Sequence, residues 1–289
     1  MNLKILLPLA IAIAIGAGVA IAGSDNGAMY GTMPVFLLCG ILAFAINWLA
    51  FIPANIWQTE KFYDLTGSIT YVTIMAVACA LSGPLDNRAL IIAALVMVWA
   101  LRLGSFLFLR IRADGKDQRF DKIKVSPPRF FFTWTLQALW VLLTAASALA
   151  IITSGTKLPI DIFAIIGIGL WLAGFGIEVV SDRQKREFRK KPENKGKFIA
   201  TGLWAWSRHP NYFGEILLWT GITVASLPIL SGWQWVTIIS PIFVATLLIK
   251  ISGIPKLEAH AEEKWGDDPA YRAYADNTPV LMMRPPKKA

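Results

Sequence analysis

Residues 202–215 read GLWAWSRHPNYFGE, and the apolar run ILLWTGITVASLPIL follows at once over residues 216–230. Gly202 gives a turn signal at the start of the stretch, and Pro210 suits a first helical position because its missing N–H costs no hydrogen bond there. The other residues of the stretch are mainly aromatic, basic or acidic. We therefore predict a membrane helix whose start presents groups able to hold a charged, planar ligand.

The composition indicates a polytopic membrane protein. Of the 289 residues, 55% are hydrophobic and 16% are charged, and the mean hydropathy is +0.54. The apolar runs lie at residues 3–22, 33–52, 69–81, 89–109, 130–152, 159–180, 216–230 and 235–251. Helices satisfy every backbone polar group inside lipid, so we predict an all-α bundle with about eight transmembrane helices. We expect a single membrane domain over residues 1–289, with residues 130–289 as its cofactor-binding half and residues 1–129 as a less specific half carrying substrate-side groups.

The basic residues lie almost entirely on one side of the predicted membrane. Of the 28 Lys and Arg residues, all except Arg88 and Lys157 fall in segments predicted to be inside. Cytoplasmic segments of membrane proteins are enriched in Lys and Arg, so both termini are predicted to be cytoplasmic. Membrane topology thus accounts for the net charge of +9, and we predict no nucleic-acid partner. The oligomeric state is open.

The cysteine and histidine content does not indicate metal or disulfide chemistry. Cys39 and Cys79 both lie within apolar runs, where cysteine is typically a small buried hydrophobe. The chain has only two histidines, too few for a histidine-rich cluster. We predict no metal site.

Ionisable residues in or beside the predicted spans are candidates for chemistry, because charge within a membrane is costly and often functional. Glu60, Tyr63 and Asp64 lie close together before the third span. A phenol or a neutral carboxyl group there can donate a proton or polarise a carbonyl, so these three are the catalytic candidates. The alternative is an interfacial aromatic residue beside a helix cap.

Two further charged residues lie within apolar runs. Arg102 lies inside the fourth run, and Glu178 lies near the end of the sixth, one helical turn before Asp182. A structural ion pair or snorkelling to the interface is the alternative explanation for each. We predict that Arg102 and Glu178 belong to a cofactor site.

The residues around the start of the seventh run match the groups of a nucleotide. Arg208 and His209 suit phosphate oxygens, and Arg can hold two of them. Asn211 and Glu215, one helical turn apart, can hydrogen-bond an amide or a ribose. Trp206 and Tyr212 can stack on a planar ring, with membership of the interfacial aromatic belt as the alternative.

Three segments predicted to be inside are longer than a connection needs. Residues 110–119 and 181–197 are rich in basic residues, and the tail reads LEAHAEEKWGDDPAYRAYADNTPV over residues 257–280. The tail pattern predicts a short amphipathic helix, a turn at GDDP and a second helix. Contact with lipid headgroups explains the basic residues in one reading. Their convergence on the side of residues 202–215 favours an anionic soluble ligand in the other.

Residues 201–215 resemble the C-terminal signature of the steroid 5α-reductase superfamily, especially its bacterial branch. The preceding run EVVSDRQKREFR, at residues 178–189, is similar to the polar segment that comes before this signature in the family. The tail pattern is similar as well. The resemblance covers roughly the last 130 residues, and the first half is similar mainly in spacing and hydropathy.

The resemblance implies an oxidoreductase of lipid metabolism that acts on CH–CH groups. It implies that NADPH reduces a carbon–carbon double bond conjugated to a carbonyl in a hydrophobic, steroid-like or other lipid substrate. By matching motif positions, Asp182, Arg186, Arg189, Asn211 and Glu215 would bind NADPH. The implied location is the bacterial inner membrane, with the cofactor site on the cytoplasmic side.

Two alternatives stay open. The Arg-His-Pro-Asn-Tyr-x-Gly-Glu core also resembles membrane methyltransferases of the isoprenylcysteine and phospholipid type, which use S-adenosylmethionine. The other alternative is a non-catalytic lipid-binding relative. It stays open because the catalytic tyrosine of the steroid-reducing members falls near Trp99 in this chain, and tryptophan is no proton donor of that kind.

Overall fold

The computed structural model describes residues 3–286, and 76% of the chain is helical. A hairpin of two short antiparallel strands, β1 (Met29–Tyr30) and β2 (Met33–Pro34), separates the first two helices. The α-helices of the described range are α1 (Leu3–Gly23), α2 (Val35–Ile56), α3 (Tyr63–Leu81), α4 (Asn87–Asp114), α5 (Pro127–Thr153), α6 (Ile162–Lys190), α7 (Pro210–Ser226), α8 (Ile239–Thr246), α9 (Ile254–Trp265) and α10 (Pro269–Asn277).

Eight helical segments of the described chain are long and apolar enough to cross a membrane. Helices α1 to α7 provide seven of them, and the eighth, Gly232–Trp265, joins 3₁₀ and π-helical turns to α8 and α9. The prediction of an all-α, polytopic membrane protein is therefore confirmed. The orientation of the termini and the single membrane domain stay predictions, and Lys287 and Lys288, counted among the inside basic residues, lie outside the described residues.

Two helices begin earlier than their apolar runs. Helix α3 begins at Tyr63 rather than at residue 69, and α7 begins at Pro210 rather than at residue 216. Hydropathy does not see these first turns, because polar side chains are tolerated where a helix leaves the hydrocarbon layer. The predicted helix, turn and helix of the tail are present as α9 and α10, and the Asp268 carboxylate caps α10 by accepting from the Ala270 N–H.

The described chain forms two compact units. The first contains the residues up to Ala164 together with Ala225–Ser240, and helix α5 is its core, since 89% of its apolar window is buried. Hydroxyl groups satisfy backbone carbonyls along this helix. The Ser147 hydroxyl donates to the Thr237 carbonyl at 2.8 Å, and the Ser240 hydroxyl donates to the Thr144 carbonyl at 2.5 Å. Such bonds join helices where lipid offers no other partner.

Arg88, one of the two basic residues predicted to be outside, is a structural residue of this first unit. Its guanidinium is buried, lies 2.7 Å from the Asp161 carboxylate and donates to the Pro159 carbonyl at 2.9 Å. Burial raises the pKa of Asp161, but hydrogen bonds from Arg88 and from a backbone N–H outweigh it, and the pKa lies below its ordinary value. The pair joins the start of α4 to the connection before α6.

Glycines set the contact between α6 and α7 in the second unit, which holds Ile165–Val224 and the residues from Pro241 onward. A Cβ added to Gly174 would lie 2.5 Å from the Gly214 carbonyl oxygen, and one added to Gly214 would lie 2.5 Å from the Gly174 carbonyl oxygen. One turn pair further along, Gly221 approaches the Gly167 backbone in the same way. The seven-residue spacing on both helices brings the two backbones together without intervening side chains.

We expect Gly174→Ala to lower the free energy of unfolding by about 1–3 kcal/mol, because the new methyl group forces two backbones apart. Gly176→Ala is the matched control on the same helix, since an added Cβ there meets no atom of the described structure within 4 Å. That control should be neutral or stabilising by up to about 1 kcal/mol, the helix-propensity gain of alanine over glycine. Thermal unfolding in mild detergent measures both. Equal effects of the two substitutions would contradict the glycine contact.

Candidate functional site

The stretch of residues 202–215 is fixed to helix α6 at its beginning. Gly202 adopts a positive φ of 63°, a conformation that glycine takes without strain. The next N–H, of Leu203, donates to the Gln184 side-chain oxygen at 2.9 Å, and the Trp204 indole donates to the Ser181 carbonyl at 3.0 Å. Trp204 is thereby buried in the α6 contact, so its ring serves packing.

The tail beyond α9 is bound along the backbone of the same stretch. Tail residues 274–284 exchange hydrogen bonds with residues 204–208, and both partners are main-chain groups in most of them. The bonds run from the Tyr274 hydroxyl to the Trp204 carbonyl, from the Ser207 hydroxyl to the Leu281 carbonyl, from the Arg208 N–H to the Pro279 carbonyl and from the Arg284 N–H to the Trp206 carbonyl. Burial raises the pKa of Tyr274, so this donor stays protonated at neutral pH.

A single carboxylate from α9 holds the two basic residues that precede α7. Glu258 Oε2 lies 2.7 Å from Arg208 Nη1, and Glu258 Oε1 lies 2.7 Å from His209 Nε2. Burial and the neighbouring Glu258 raise the pKa of Tyr271, which lies next to this group. Arg208 and His209, predicted from the sequence to bind phosphate, are therefore engaged with an internal anion.

The glycine contact brings the polar run of α6 against the start of α7. Asn211 donates its side-chain N–H to Asp182 Oδ1 at 3.4 Å, and a Cβ added to Gly214 would lie 2.8 Å from the Glu178 backbone nitrogen. Glu178 and Asp182 are both buried, and Glu215 is half-buried on α7. We call these four residues, Glu178, Asp182, Asn211 and Glu215, the polar seam.

The arginines of the α6 run extend from one edge of the polar seam. Asp182, Arg186 and Arg189 lie four and three residues apart, so they follow one face of the helix. Arg186 and Arg189 are exposed, and the Arg186 Nε lies only within 3.8 Å of the Glu187 carboxylate. Basic residues in a last helical turn also stabilise the helix dipole, which is their structural role.

The aromatic candidates differ in what they contact. The Tyr212 ring stacks on His209, with ring centroids 5.7 Å apart and planes 11° apart. A Cβ added to Gly253 would lie 3.0 Å from the same Tyr212 ring. The side chain of Trp206 is exposed. Of the two predicted stacking residues, Trp206 is the one whose ring has a face to offer a ligand.

The catalytic candidates lie in the first unit, and Glu60 is an anchor there. Its buried carboxylate accepts from the Asp117 N–H at 3.0 Å and from Lys124 Nζ at 2.6 Å, which holds the connection between α4 and α5. Burial by itself raises the pKa of Glu60, but these two donors outweigh it, and the pKa lies below its ordinary value. Glu60 is therefore ionised near neutral pH, the wrong state for a proton donor.

The other first-unit candidates have different surroundings. The Tyr63 hydroxyl donates to the Thr133 carbonyl at 3.0 Å. The Asp64 carboxylate lies 3.9 Å from Arg110, and the Arg102 guanidinium lies 5.3 Å from the centre of the Phe106 ring. Their predicted roles stay predictions.

Sequence reasoning missed Glu258, Gln184 and Ser207, which position the stretch. Glu258 lies in the predicted amphipathic tail helix, but nothing in a sequence pattern pairs it with residues 208 and 209, which are about fifty positions earlier. Gln184 lies in the polar run that the sequence did single out. The signal was therefore present for the segment and absent for the partner.

We expect Glu60→Gln to lower the free energy of unfolding by about 2 kcal/mol near neutral pH, because it leaves a half-buried Lys124 without its counter-ion. The folded-state pKa of Glu60 lies below the unfolded value of about 4.3, so this stabilisation is present above that pH and is lost as the pH falls through the folded-state pKa. The difference between wild type and variant should thus shrink in acid. Thermal unfolding measured across the pH range checks this.

The control is Asp121→Asn, which removes an exposed ion pair with Lys116 at 2.8 Å. An exposed pair of this kind contributes about 0–1 kcal/mol, so we expect a small effect. A Glu60→Gln difference that keeps its size at every pH would contradict the ionised anchor.

Comparison with known proteins connects this geometry to a family. The family model described as "Protein of unknown function (DUF1295)" matches residues 50–278, which are 229 of the 289 residues. The chain is 44% identical over 62 residues to 3-oxo-5-alpha-steroid 4-dehydrogenase 1 of Macaca fascicularis, covering 22% of this chain and 24% of the relative. It is 32% identical over 106 residues to the protein of that name from Bos taurus, covering 37% and 38%.

A relative with a different name also matches. The chain is 33% identical over 121 residues to the probable O-methyltransferase ustE of Ustilaginoidea virens, covering 42% of each protein. No solved structure matches the chain. The matches span between about a quarter and about two fifths of these relatives' lengths. The family model itself covers most of the chain, and the chain therefore belongs to the DUF1295 family of integral membrane proteins, within the steroid 5α-reductase superfamily.

Proposed function

We propose that the protein is a membrane-embedded, NADPH-dependent reductase of a conjugated carbon–carbon double bond in a lipophilic substrate. The observation that carries the proposal is the hydrogen bond between Asn211 and Asp182. It joins the two polar motifs that the sequence singled out, and exposed arginines follow on the same helix. The superfamily and the name of the mammalian relatives support the reaction class.

The donor set of the second unit fits a dinucleotide. Buried carboxylates and an amide at the polar seam provide acceptors and donors for ribose hydroxyls and for the nicotinamide carboxamide. Arg186 and Arg189 provide mobile cations for phosphate oxygens, and Trp206 provides an exposed ring for stacking. NADPH, when bound, supplies the hydride that reduces the double bond.

The chain's own residues orient the reactants and manage the proton. The seam residues Asp182 and Asn211 are held by the close α6–α7 contact, so their geometry is set before a ligand arrives. Tyr63 is the candidate for engaging the substrate carbonyl, because a phenol with an ordinary pKa of about 10 carries its proton near neutral pH. Its hydroxyl must first leave the Thr133 carbonyl. Asp64, beside Arg110, assists in this proposal as a charged neighbour.

The substrate in this proposal is hydrophobic and reaches the protein through the bilayer. The spans of the chain are long and apolar, and the mammalian relatives carry a steroid substrate in their name. We extend from that name only the class, a lipid with a carbonyl conjugated to a double bond. The distribution of basic residues supports a cofactor site on the cytoplasmic side of a bacterial inner membrane.

A methyl transfer from S-adenosylmethionine is the second candidate function. The match to a probable O-methyltransferase over 121 residues favours it, and so does the abundance of carboxylates at the polar seam, which suit a cationic sulfonium. The exposed arginines of α6 favour the reductase, because a methyl donor has no phosphate for them to bind. The two candidates differ in the ligand that stabilises the fold.

We expect NADPH to raise the unfolding temperature of the detergent-purified protein, and S-adenosylmethionine to leave it unchanged. Binding to the folded state alone stabilises it by about 2.7 kcal/mol at a ligand concentration of 100 times Kd. A temperature scan with NADPH, NADH and S-adenosylmethionine measures the difference. Stabilisation by the methyl donor alone would replace the reductase with the methyltransferase.

We expect Asn211→Ala and Glu215→Ala to abolish the stabilisation by NADPH while the protein stays folded, because both remove hydrogen-bonding groups from the polar seam. Asn277→Ala and Glu263→Ala are the matched controls, since they remove an exposed amide and an exposed carboxylate of the tail. The controls should keep the wild-type response. A wild-type response in both seam variants would show that the polar seam is only structural.

A further inference from the structure

The contact between Glu258 and the residues before α7 has the form of an occupied anion site. Two carboxylate oxygens each accept from a different basic side chain, both at 2.7 Å. The Arg208 side chain is 16% exposed, that of His209 is 6% exposed and that of Glu258 is 27% exposed. A ligand phosphate would use the same two donors in the same way.

Glu258 neutralises the charge that a phosphate would need. The Coulomb attraction between unit charges is stronger in a largely buried place than in water, so the guanidinium and the carboxylate cancel each other effectively. A phosphate entering here must displace Glu258 or bind beside it against its repulsion. Arg186 and Arg189 are exposed, and neither meets a carboxylate closer than the 3.8 Å between Arg186 and Glu187 in the described structure.

One donor of Arg208 is left over. Its Nε is buried and has no hydrogen-bond acceptor among the described residues. A buried N–H without an acceptor costs free energy, and an uncharged oxygen of a ligand would relieve that cost without competing with Glu258. The remaining chemistry at this position thus suits a hydroxyl or a carboxamide oxygen.

We propose that Glu258 is a specificity-determining residue, which makes the start of α7 a place for an uncharged part of the ligand and leaves the phosphates to Arg186 and Arg189. This deepens the proposed function and rests on it for the identity of the nucleotide. It revises the sequence-based assignment of Arg208 and His209 to phosphate. The charge selection itself belongs to the fork of Glu258, Arg208 and His209, whichever nucleotide binds.

The test is Glu258→Gln, with inorganic pyrophosphate as an anion probe and NADPH as the nucleotide. Removing the carboxylate charge exposes the positive charge of Arg208, so we expect the affinity for pyrophosphate to rise about tenfold, equivalent to about 1.4 kcal/mol. Thermal stability without ligand should fall, because the ion pair is lost. Glu263→Gln, on the same helix with an 83% exposed side chain, should change neither.

The double variant Glu258→Gln with Arg208→Gln shows whether the gain passes through the fork. We expect it to return the pyrophosphate affinity to the wild-type value, and a gain that survives Arg208→Gln would overturn the proposal. An unchanged or lower affinity in a folded Glu258→Gln protein would also overturn it. A purely structural role for Glu258 lowers stability but cannot raise the affinity for an anion.

A second measurement covers the case in which Glu258→Gln does not fold. The salt dependence of NADPH binding reports the number of cations that contact phosphate. We expect Arg186→Gln to reduce that dependence and Arg208→Gln to leave it unchanged, and the reverse result would overturn the proposal. If the wild type binds no NADPH, the proposed function fails, and the pyrophosphate arm, or its repetition with the charge-keeping Glu258→Asp as the wild-type-like reference, still decides the role of Glu258.

Discussion

The close approach of α6 and α7 is the constraint on which the rest of the second unit depends. Glycines at seven-residue spacing let the two backbones touch, and in lipid such packing replaces the hydrophobic effect as the force that joins helices. Because the helices cannot slide without introducing a clash, the side chains that continue beyond the glycines meet in a fixed register. Asp182 and Asn211 lie at that point.

The second unit stabilises its polar groups with one another as well as with backbone. Glu258 spans Arg208 and His209, and the tail binds the main chain of residues 204–208. These contacts give a site its shape before any ligand binds, but they also use up part of its charge. The balance between basic residues that are already paired and those that are exposed is therefore more informative about a ligand than the net charge of the segment.

The first unit shows how the same residue types act as structural elements. Glu60 is ionised and holds a connection through Lys124, and Arg88 is buried with Asp161 at its side. Hydroxyls of Ser147 and Ser240 satisfy carbonyls of neighbouring segments. A charged residue in or near a membrane span is costly unless it is paired, so a pairing partner is a condition for its presence and does not by itself indicate chemistry.

The sequence by itself determined the membrane class, the approximate number of spans, the helical tail and the superfamily, because hydropathy, turn residues and a dense motif are local properties of the chain. It also singled out residues 178–189 and 202–215 as the polar segments of interest. Only the tertiary structure decided which charges are paired: that Glu258 holds Arg208 and His209, that Lys124 holds Glu60, and that α3 and α7 begin several residues before their apolar runs. The physical reason is that an ion pair joins residues distant in the chain, and its partner is set by how the helices pack rather than by any local pattern.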